Sequence, residues 1–265
     1  MRKILQQNGV DMFSGAQVER VVVDKGRVSG VRVNGREIKA KTVLSNANIK
    51  STVLKLVGEE NLTPDFVQQT KDIRLSGSSC QVYIGIKSGE EIPFITDLLF
   101  CSTADHFTSE ELCDLRTKSR TFSFYYPKTR PHLKNAGFTI VSSNNARWQD
   151  WQALSEEEYE VEKNALIERT VSHLEKYIPD VRGKIDHLEA STPRTFNFYT
   201  QQMQGASFGT KFEGLDVSMK LSEHVPGLYH AGSVGIIMSG WLGTVNYGVI
   251  TANKMAEYLH EVNAK

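Results

Sequence analysis

The chain has 265 residues, enough for one large domain or two modest ones, and 40% of them are hydrophobic, so it can bury a core and is not a disordered polypeptide. Lys plus Arg and Asp plus Glu stand equal at 31 each, which leaves no long-range field to gather nucleic acid, and no nucleic-acid partner is expected. Cys80, Cys101 and Cys113 are too few and too scattered for a disulfide framework or a zinc site, so no metal is expected and a reducing cytoplasm suits them.

The start, Met1-Arg2-Lys3-Ile4-Leu5, carries charge, but Gln6-Gln7-Asn8 halts any apolar core of a signal peptide. Two β-branched runs follow, 17–23 and 27–33, with Asp24-Lys25-Gly26 between them as a hairpin signal. Asn34-Gly35 supplies a second turn, and Glu37-Ile38 opens another strand. Thr42-Val43-Leu44 reads as a short strand running into Ser45-Asn46-Ala47-Asn48, residue types that turn the chain or cap helices. A helix is expected over 51–58, and Thr63-Pro64-Asp65 opens a second, with Pro at its first position.

The run 78–86 places Cys80, Val82, Ile84 and Ile86 on one face of a strand, and 97–101, 121–126 and 137–142 are further strand candidates. The runs 78–86, 121–126 and 137–142 are expected to form the main part of a mixed sheet. Ser155-Glu156-Glu157-Glu158 is a capping signature, and the helix behind it is expected to reach about Tyr177, with Val161, Ile167, Val171, Leu174 and Ile178 as its apolar stripe packed on the sheet. Residues 227–232 read as a buried strand entering a glycine turn, and 242–259 as the last helix. No apolar run reaches the ~20 residues of a membrane helix. A span is excluded, while a peripheral membrane contact stays open. Strands alternating with helices indicate an α/β or α+β fold.

No Gly-x-Ser-x-Gly elbow and no His-Glu-x-x-His is present, so no catalytic residue is named. The seven histidines, His132 and His230 among them, are dispersed. His230 alone adjoins the glycine turn, and its place inside a buried strand favours a structural role. The informative segment is Pro226-Gly227-Leu228-Tyr229-His230-Ala231-Gly232-Ser233 followed by Ser239-Gly240-Trp241-Leu242-Gly243-Thr244, with Gly248 beyond. A strand ends at a glycine, and further glycines sit across a helix start, where unpaired N–H groups suit an electron-rich carbonyl or a phosphate. A plain tight-packing turn explains the same residues.

Several stretches resemble the phytoene desaturase, carotenoid isomerase and retinol saturase group of flavoproteins, within the amine-oxidase-like superfamily. Residues 15–31 are similar to that group's "V-x-x-I-x-V-x-x-G-x-V-x-G-V" region, and Thr42-Val43-Leu44-Ser45-Asn46-Ala47 to its "x-V-V-S-N-A". Thr192-Pro193-Arg194-Thr195-Phe196-Asn197-Phe198-Tyr199-Thr200 with Gly205-Ala206-Ser207-Phe208-Gly209 resembles "T-P-x-T-F-x-R-Y-T … G-A-x-Y-G", and the final glycine segment looks like the group's C-terminal flavin stretch. The four motifs stand in the group's order.

The resemblance implies the C-terminal half of a FAD-dependent oxidoreductase of desaturase, saturase or isomerase type, acting on a polyene or other apolar, lipid-like substrate, with the dinucleotide-binding half absent. It implies a mixed-sheet substrate domain at 48–225 and returning pieces of an incomplete Rossmann-like FAD domain at 1–47 and 226–265. Val18 would lie near the adenine, Asn46 and Ala47 beside the cofactor, and Gly232 and Ser233 along the ribityl and pyrophosphate. Gly240, Trp241, Leu242 and Gly243 would present a helix start to the flavin pyrimidine edge. Phe122, Phe124, Tyr125, Phe196 and Tyr199 would line the substrate cavity, or else be ordinary core.

Two departures stand out. No Gly-x-Gly-x-x-Gly fingerprint occurs in this sequence, so the chain alone should hold FAD weakly or not at all, and Ser233 replaces an acid or amide. Apolar surface is then expected on the first strands and on 228–231, requiring a homo-oligomer or an N-terminal-half partner chain. The rival readings are a non-enzymatic binding module and a half-enzyme completed by a separate FAD-binding chain. A cytoplasmic or membrane-peripheral location follows.

Overall fold

The computed structural model describes residues 1–129, 137–235 and 237–264, and the chain divides into two compact units, residues 1–74 with 210–265 and residues 75–209. His132 lies outside the described residues. The division falls at 74 and 209, whereas the expected boundaries at 47 and 225 both lie inside the first unit. The segments 48–74 and 210–225 contribute Ile49, Val53, Val57, Phe66, Val217 and Leu221 to the first unit's core.

The first unit opens with a short helix, α1 (Arg2–Gln7), and an antiparallel sheet of β1 (Val18–Asp24), β2 (Arg27–Val33) and β3 (Arg36–Lys39), in that order. Both links are two-residue turns, and their central residues have positive φ: Lys25 at 49° with Gly26 at 74°, and Asn34 at 50° with Gly35 at 72°. That is the turn geometry whose twist matches the flanking strands, which is why Lys-Gly and Asn-Gly punctuate the sequence there. After β4 (Val43–Ser45), Asn48 caps the next helix by accepting from Lys50 N and Ser51 N. That helix, α2 (Ile49–Ser51), continues in wider π-helical turns over Thr52–Gly58, and α3 (Pro64–Asp72) has its proline at the first position as expected.

The second unit is a five-stranded sheet faced by a long helix. Its elements are β5 (Ser78–Ile86), β6 (Leu98–Ser102), α4 (Ser109–Leu112), β7 (Ser119–Tyr125), β8 (Thr139–Ala146), α5 (Trp148–Gln152), α6 (Glu156–Leu174), α7 (Val181–Lys184), β9 (Ile185–Ser191) and α8 (Pro193–Thr200). The strand order is β6-β7-β8-β5-β9 and every pairing is antiparallel, not mixed. One face carries the core: Val82 and Ile84 of β5, Phe122 and Phe124 of β7, and Ile140 of β8 are buried with Leu166 and Leu174 of α6.

The α6 capping box forms, with Ser155 accepting from Glu158 N and the Glu158 carboxylate accepting from Ser155 N. That backbone donor holds the Glu158 carboxyl below the ordinary range. The expected stripe holds at Val171, Leu174 and Ile178, which are buried, and at Ile167, which packs on the core, but fails at Val161. Val161 is 64% exposed, while Glu162 and Thr170 are buried. Pairing explains the exchange: Glu162 receives Arg116 at 2.9 Å and Arg169 at 2.6 Å, and Thr170 Oγ1 accepts from the buried Arg120 at 2.6 Å. A buried charge is tolerated when it is paired and hydrogen-bonded, which a hydrophobic pattern cannot register.

The chain then returns to the first unit with α9 (Glu213–His224), β10 (Leu228–His230) and α10 (Gly240–Asn263). β10 pairs in parallel with β4, as Leu228 with Val43, Tyr229 with Leu44 and His230 with Ser45. The 228–231 strand is buried, not an exposed apolar edge. Apolar residues of this unit left in solvent include Val18 and Ile38 on the first strands, where exposed apolar surface was expected, together with Leu44 and, on α10, Trp241, Leu242, Val245 and Val249. No described helix is long and apolar enough to cross a membrane.

Phe122 has no exposed surface and Val161 stands in water. Truncating Phe122→Ala should therefore lower stability by about 3–5 kcal/mol, and Val161→Ala should stay within about 0.5 kcal/mol of wild type. Urea denaturation of the two variants measures both; equal losses would refute the assigned helix face.

Candidate functional site

The carboxyl ends of β4 and β10 lie side by side because the parallel pairing runs both strands the same way. In open α/β sheets, ligands bind outside such strand ends. β4 leads into the turn 45–48 and β10 into Ala231-Gly232-Ser233. The ladder is extended one step by Ala231 N donating to Ser45 O at 3.0 Å. Gly232 has φ 152°, which favours glycine, and a Cβ there would stand 3.5 Å from Asn46 O and 3.7 Å from Asn46 Nδ2. Asn46, Ala47, Gly232 and Ser233, expected from separate motifs, are thus brought together.

Beneath the turn lies a buried polar relay that sequence reasoning missed in part. His230 Nε2 lies 2.7 Å from Ala47 O, its Nδ1 2.7 Å from Ser218 Oγ, and Ser218 Oγ 2.6 Å from the Tyr247 hydroxyl. His230 was legible as a structural residue in a buried strand. Ser218 lies in α9, a helix with no cap or stripe clear enough to read, and nothing in the sequence links it to Tyr247. Burial, with no charged group opposing it, pushes the His230 imidazole down to about 4, so the ring is neutral at pH 7. Burial likewise raises the Tyr247 phenol. A cleft of about 70 Å³ beside this relay is lined by Ser218, Tyr229, Met238, Tyr247 and Ile250 among others. It is far below the roughly 300 Å³ minimum of a typical ligand pocket, so neither a flavin ring nor a polyene fits there.

The helix start behaves differently from expectation. Gly240 has φ 66° and open space around it, and Trp241 and Leu242 are 90% and 86% exposed. Gly243, expected at a rim where a cofactor approaches, instead packs on its own chain, since a Cβ there would fall 2.7 Å from Ile237 O and 3.0 Å from Met238 C. Met238 of that backbone is bridged to Val234. A branched side chain at 243 would therefore strain the fold locally. Gly248 meets nothing within 4 Å. Val18 starts β1, on a separate sheet from these strand ends.

In the second unit the five aromatics do not form one surface. Phe122 and Phe124 are buried in the core with α6, so the plain reading of them as core holds. Tyr125 is on the opposite face of β7, while Phe196 is half-buried and Tyr199 exposed on α8.

No protein-family profile matches the chain. Its sequence is similar to prolycopene isomerase of Daucus carota, 26% identical over 97% of this chain and 42% of that protein. It is also similar to the human all-trans-retinol 13,14-reductase, 24% identical over 94% of this chain and 46% of that protein. The chain spans less than half the length of these curated relatives. In structure it resembles an oxidoreductase from Methanosarcina mazei, with a TM-score of 0.57 at 11% identity, over 96% of this chain and 52% of that one. The chain therefore shares that protein's fold, of mixed helices and sheets, and its sequence similarity to the prolycopene isomerase and the retinol reductase extends over nearly the whole chain.

Two outcomes follow. The unfolded His230 imidazole takes a proton near 6.5 and the folded one only near 4, so stability should fall as pH drops through that window. The loss should reach about 2–3 kcal/mol, and a His230→Gln variant should lack it; parallel urea midpoints at pH 7 and 4.5 for the two proteins would refute the assignment. Gly248→Ala should raise stability by about 0.5–1 kcal/mol and Gly243→Ala lower it by about 1–3 kcal/mol in thermal melts.

Proposed function

We propose that this chain forms the flavin-proximal C-terminal portion of a FAD-dependent oxidoreductase of desaturase, saturase or isomerase type, acting on a polyene or similar apolar lipid. The observation that carries the reading is the parallel pair β4–β10, whose carboxyl ends set Asn46 beside Gly232; the space outside them is the crevice in which a ligand would sit. The relatives, a prolycopene isomerase and an all-trans-retinol 13,14-reductase by name, support the substrate class.

The residues suit a nucleotide cofactor. The Asn46 side chain has no hydrogen-bond partner among the described residues, and Gly232 presents backbone without a side chain. When bound, FAD supplies the two-electron chemistry that the side chains here do not. Asn46 would donate or accept at the cofactor's polar groups. The start of α10 would place positive dipole near charge gained on reduction, favouring the reduced state. In this reading the first unit serves the flavin and the second the substrate, with Tyr125, Phe196 and Tyr199 as the remaining candidates for substrate contact.

A two-stranded parallel sheet is a fragment, because parallel strands are almost always buried on both faces within larger sheets. Leu44 and the apolar face of α10 mark where completing chain would pack, whether a dinucleotide-binding segment or a partner polypeptide. The free thiols fit a reducing, cytoplasmic compartment.

The test is a titration of FAD, followed by flavin fluorescence, into the 265-residue chain alone and with the N-terminal remainder of a matched relative supplied in trans. Weak or absent binding alone and tight binding on completion are expected, with Asn46→Ala weakening the completed site about five- to tenfold. Tight stoichiometric binding by the chain alone would overturn the importance of the missing fingerprint. No binding by the completed protein would overturn the flavin assignment and leave the binding-module reading.

A further inference from the structure

The turn after β4 has spent nearly all its polar side-chain capacity inside the first unit. Ser45 Oγ meets Thr52 Oγ1 at 2.7 Å and accepts from Ala47 N at 3.3 Å. Asn48 Oδ1 takes Lys50 N at 3.0 Å and Ser51 N at 3.4 Å. Asn46 is the exception, and its exposed carboxamide projects beside Gly232. Where that carboxamide points depends on what holds Ala47, its neighbour, and the Ala47 carbonyl is held by His230.

The proton positions on this relay follow from the contacts. A carbonyl only accepts, so His230 Nε2 carries the hydrogen that reaches Ala47 O. The ring is neutral, so Nδ1 bears a lone pair and Ser218 Oγ–H donates to it. Ser218 has then used its proton, and the Tyr247 hydroxyl donates to Ser218. Moving the ring proton to Nδ1 would face two acceptors at 2.7 Å across the Ala47 contact. One neutral arrangement satisfies all three contacts. His230 belongs to β10, Ser218 to α9 and Tyr247 to α10, so three elements converge on one imidazole to fix one turn.

We propose that His230 is the positioning residue of the ligand crevice: its Nε2–H pins the Ala47 carbonyl and so aims the Asn46 carboxamide across Gly232, and the Tyr247–Ser218 hydroxyl pair holds the imidazole in the tautomer this requires. The proposal rests on the reading of that crevice as the flavin-nucleotide site. It gives a role to a histidine that touches no ligand, and it separates His230 from a mere core filler, which would affect stability without acting through Asn46.

The test is a double-mutant cycle on FAD affinity in the chain completed in trans, with nitrogen-15 NMR of the imidazole in the 265-residue chain. His230→Leu and Asn46→Ala should each raise the FAD dissociation constant about tenfold, and the double variant should be no worse than either single one. His230→Gln keeps an N–H in place of Nε2–H and should stay within about threefold of wild type. Additive losses, or a Gln variant as weak as Leu, would overturn the proposal. So would an Nδ1–H tautomer in the spectrum, or Ser218→Ala and Tyr247→Phe leaving the tautomer balance unmoved. If the completed wild-type protein binds no FAD, the flavin reading falls separately. Amide hydrogen exchange then decides the positioning role: His230→Leu should speed exchange at residues 46–48 at least tenfold while β2 stays protected, and unchanged exchange there would refute it.

Discussion

Three backbone pairings between β4 and β10 set the terms for the first unit. Parallel strands cannot be joined by a tight turn and need a long crossover. Here the crossover contains α2, α3, the entire second unit and α9. The register matters as much as the pairing. Because Ser45 pairs with His230, the last residue of each strand sits beside the other, and the chain leaving β4 passes over the imidazole that ends β10. A slip of one residue would turn the His230 side chain to the opposite face, away from Ser218, and the relay would not exist.

The same pairing shows what the unit lacks. A sheet of two short parallel strands has little of the lateral hydrogen bonding and double-sided burial that parallel sheets require. Leu44 is exposed on β4, while the first turns of α10 hold Trp241, Leu242, Val245 and Val249 in solvent. On the opposite side of α10, Tyr247 and Thr251 are buried. Gly248 interrupts the helix with open space around it, at a cost of about 1 kcal/mol relative to alanine that no contact in this unit repays. The proposed second packing surface over this face would account for all three features. The relatives are more than twice this chain's length and have the residues to supply one.

What could be read from the sequence was local. The Lys-Gly and Asn-Gly turns fix the first hairpins, since only residues tolerant of positive φ fit them, and the strict alternation of 78–86 gives β5 its full extent. The proline opening α3 and the capping box of α6 were legible for the same reason. Where long-range pairing decides, the pattern fails. Glu162 and Thr170 lie on the buried face of α6 because Arg116 and Arg120 come from elsewhere in the unit to meet them, with Arg169 of the same helix joining Glu162. The boundaries at 74 and 209 were hidden because 48–74 and 210–225 resemble any other helical segment until Phe66 of α3 is found stacked on His224 of α9, ring centroids 3.8 Å apart. The crevice was half legible. The motifs marked Asn46, Ala47 and Gly232, while Ser218 carried no local signal.

Strand periodicity alone constrains the proposed substrate site more than composition does. Phe122 and Phe124 are two apart and share a face, so they cannot share one with Tyr125. The register then says what each face holds. Phe122 pairs with Ser142 and Phe124 with Ile140 on the side packed by α6, while Thr121 pairs with Ser143 and Ser123 with Val141 on the other. That second face continues on β5 with Gln81, opposite Ser143, and Tyr83, opposite Val141. On these inner strands hydroxyls and an amide outnumber hydrocarbon, and Tyr83 donates to Gln81 at 2.5 Å, while β6 adds the exposed Leu98 and Phe100 opposite Ser123 and Thr121. An antiparallel sheet with one packed side commonly turns such a face outward. An all-hydrocarbon ligand gains little from a wall of this kind, because burying hydroxyls without new partners opposes the gain from burying its chain. Apolar contact for the proposed substrate would then come from Leu98 and Phe100 at the β6 edge of this face and from α8, where Phe196 is half-buried and Phe198 and Tyr199 are exposed, with the inner strands left for whatever oxygen the substrate carries.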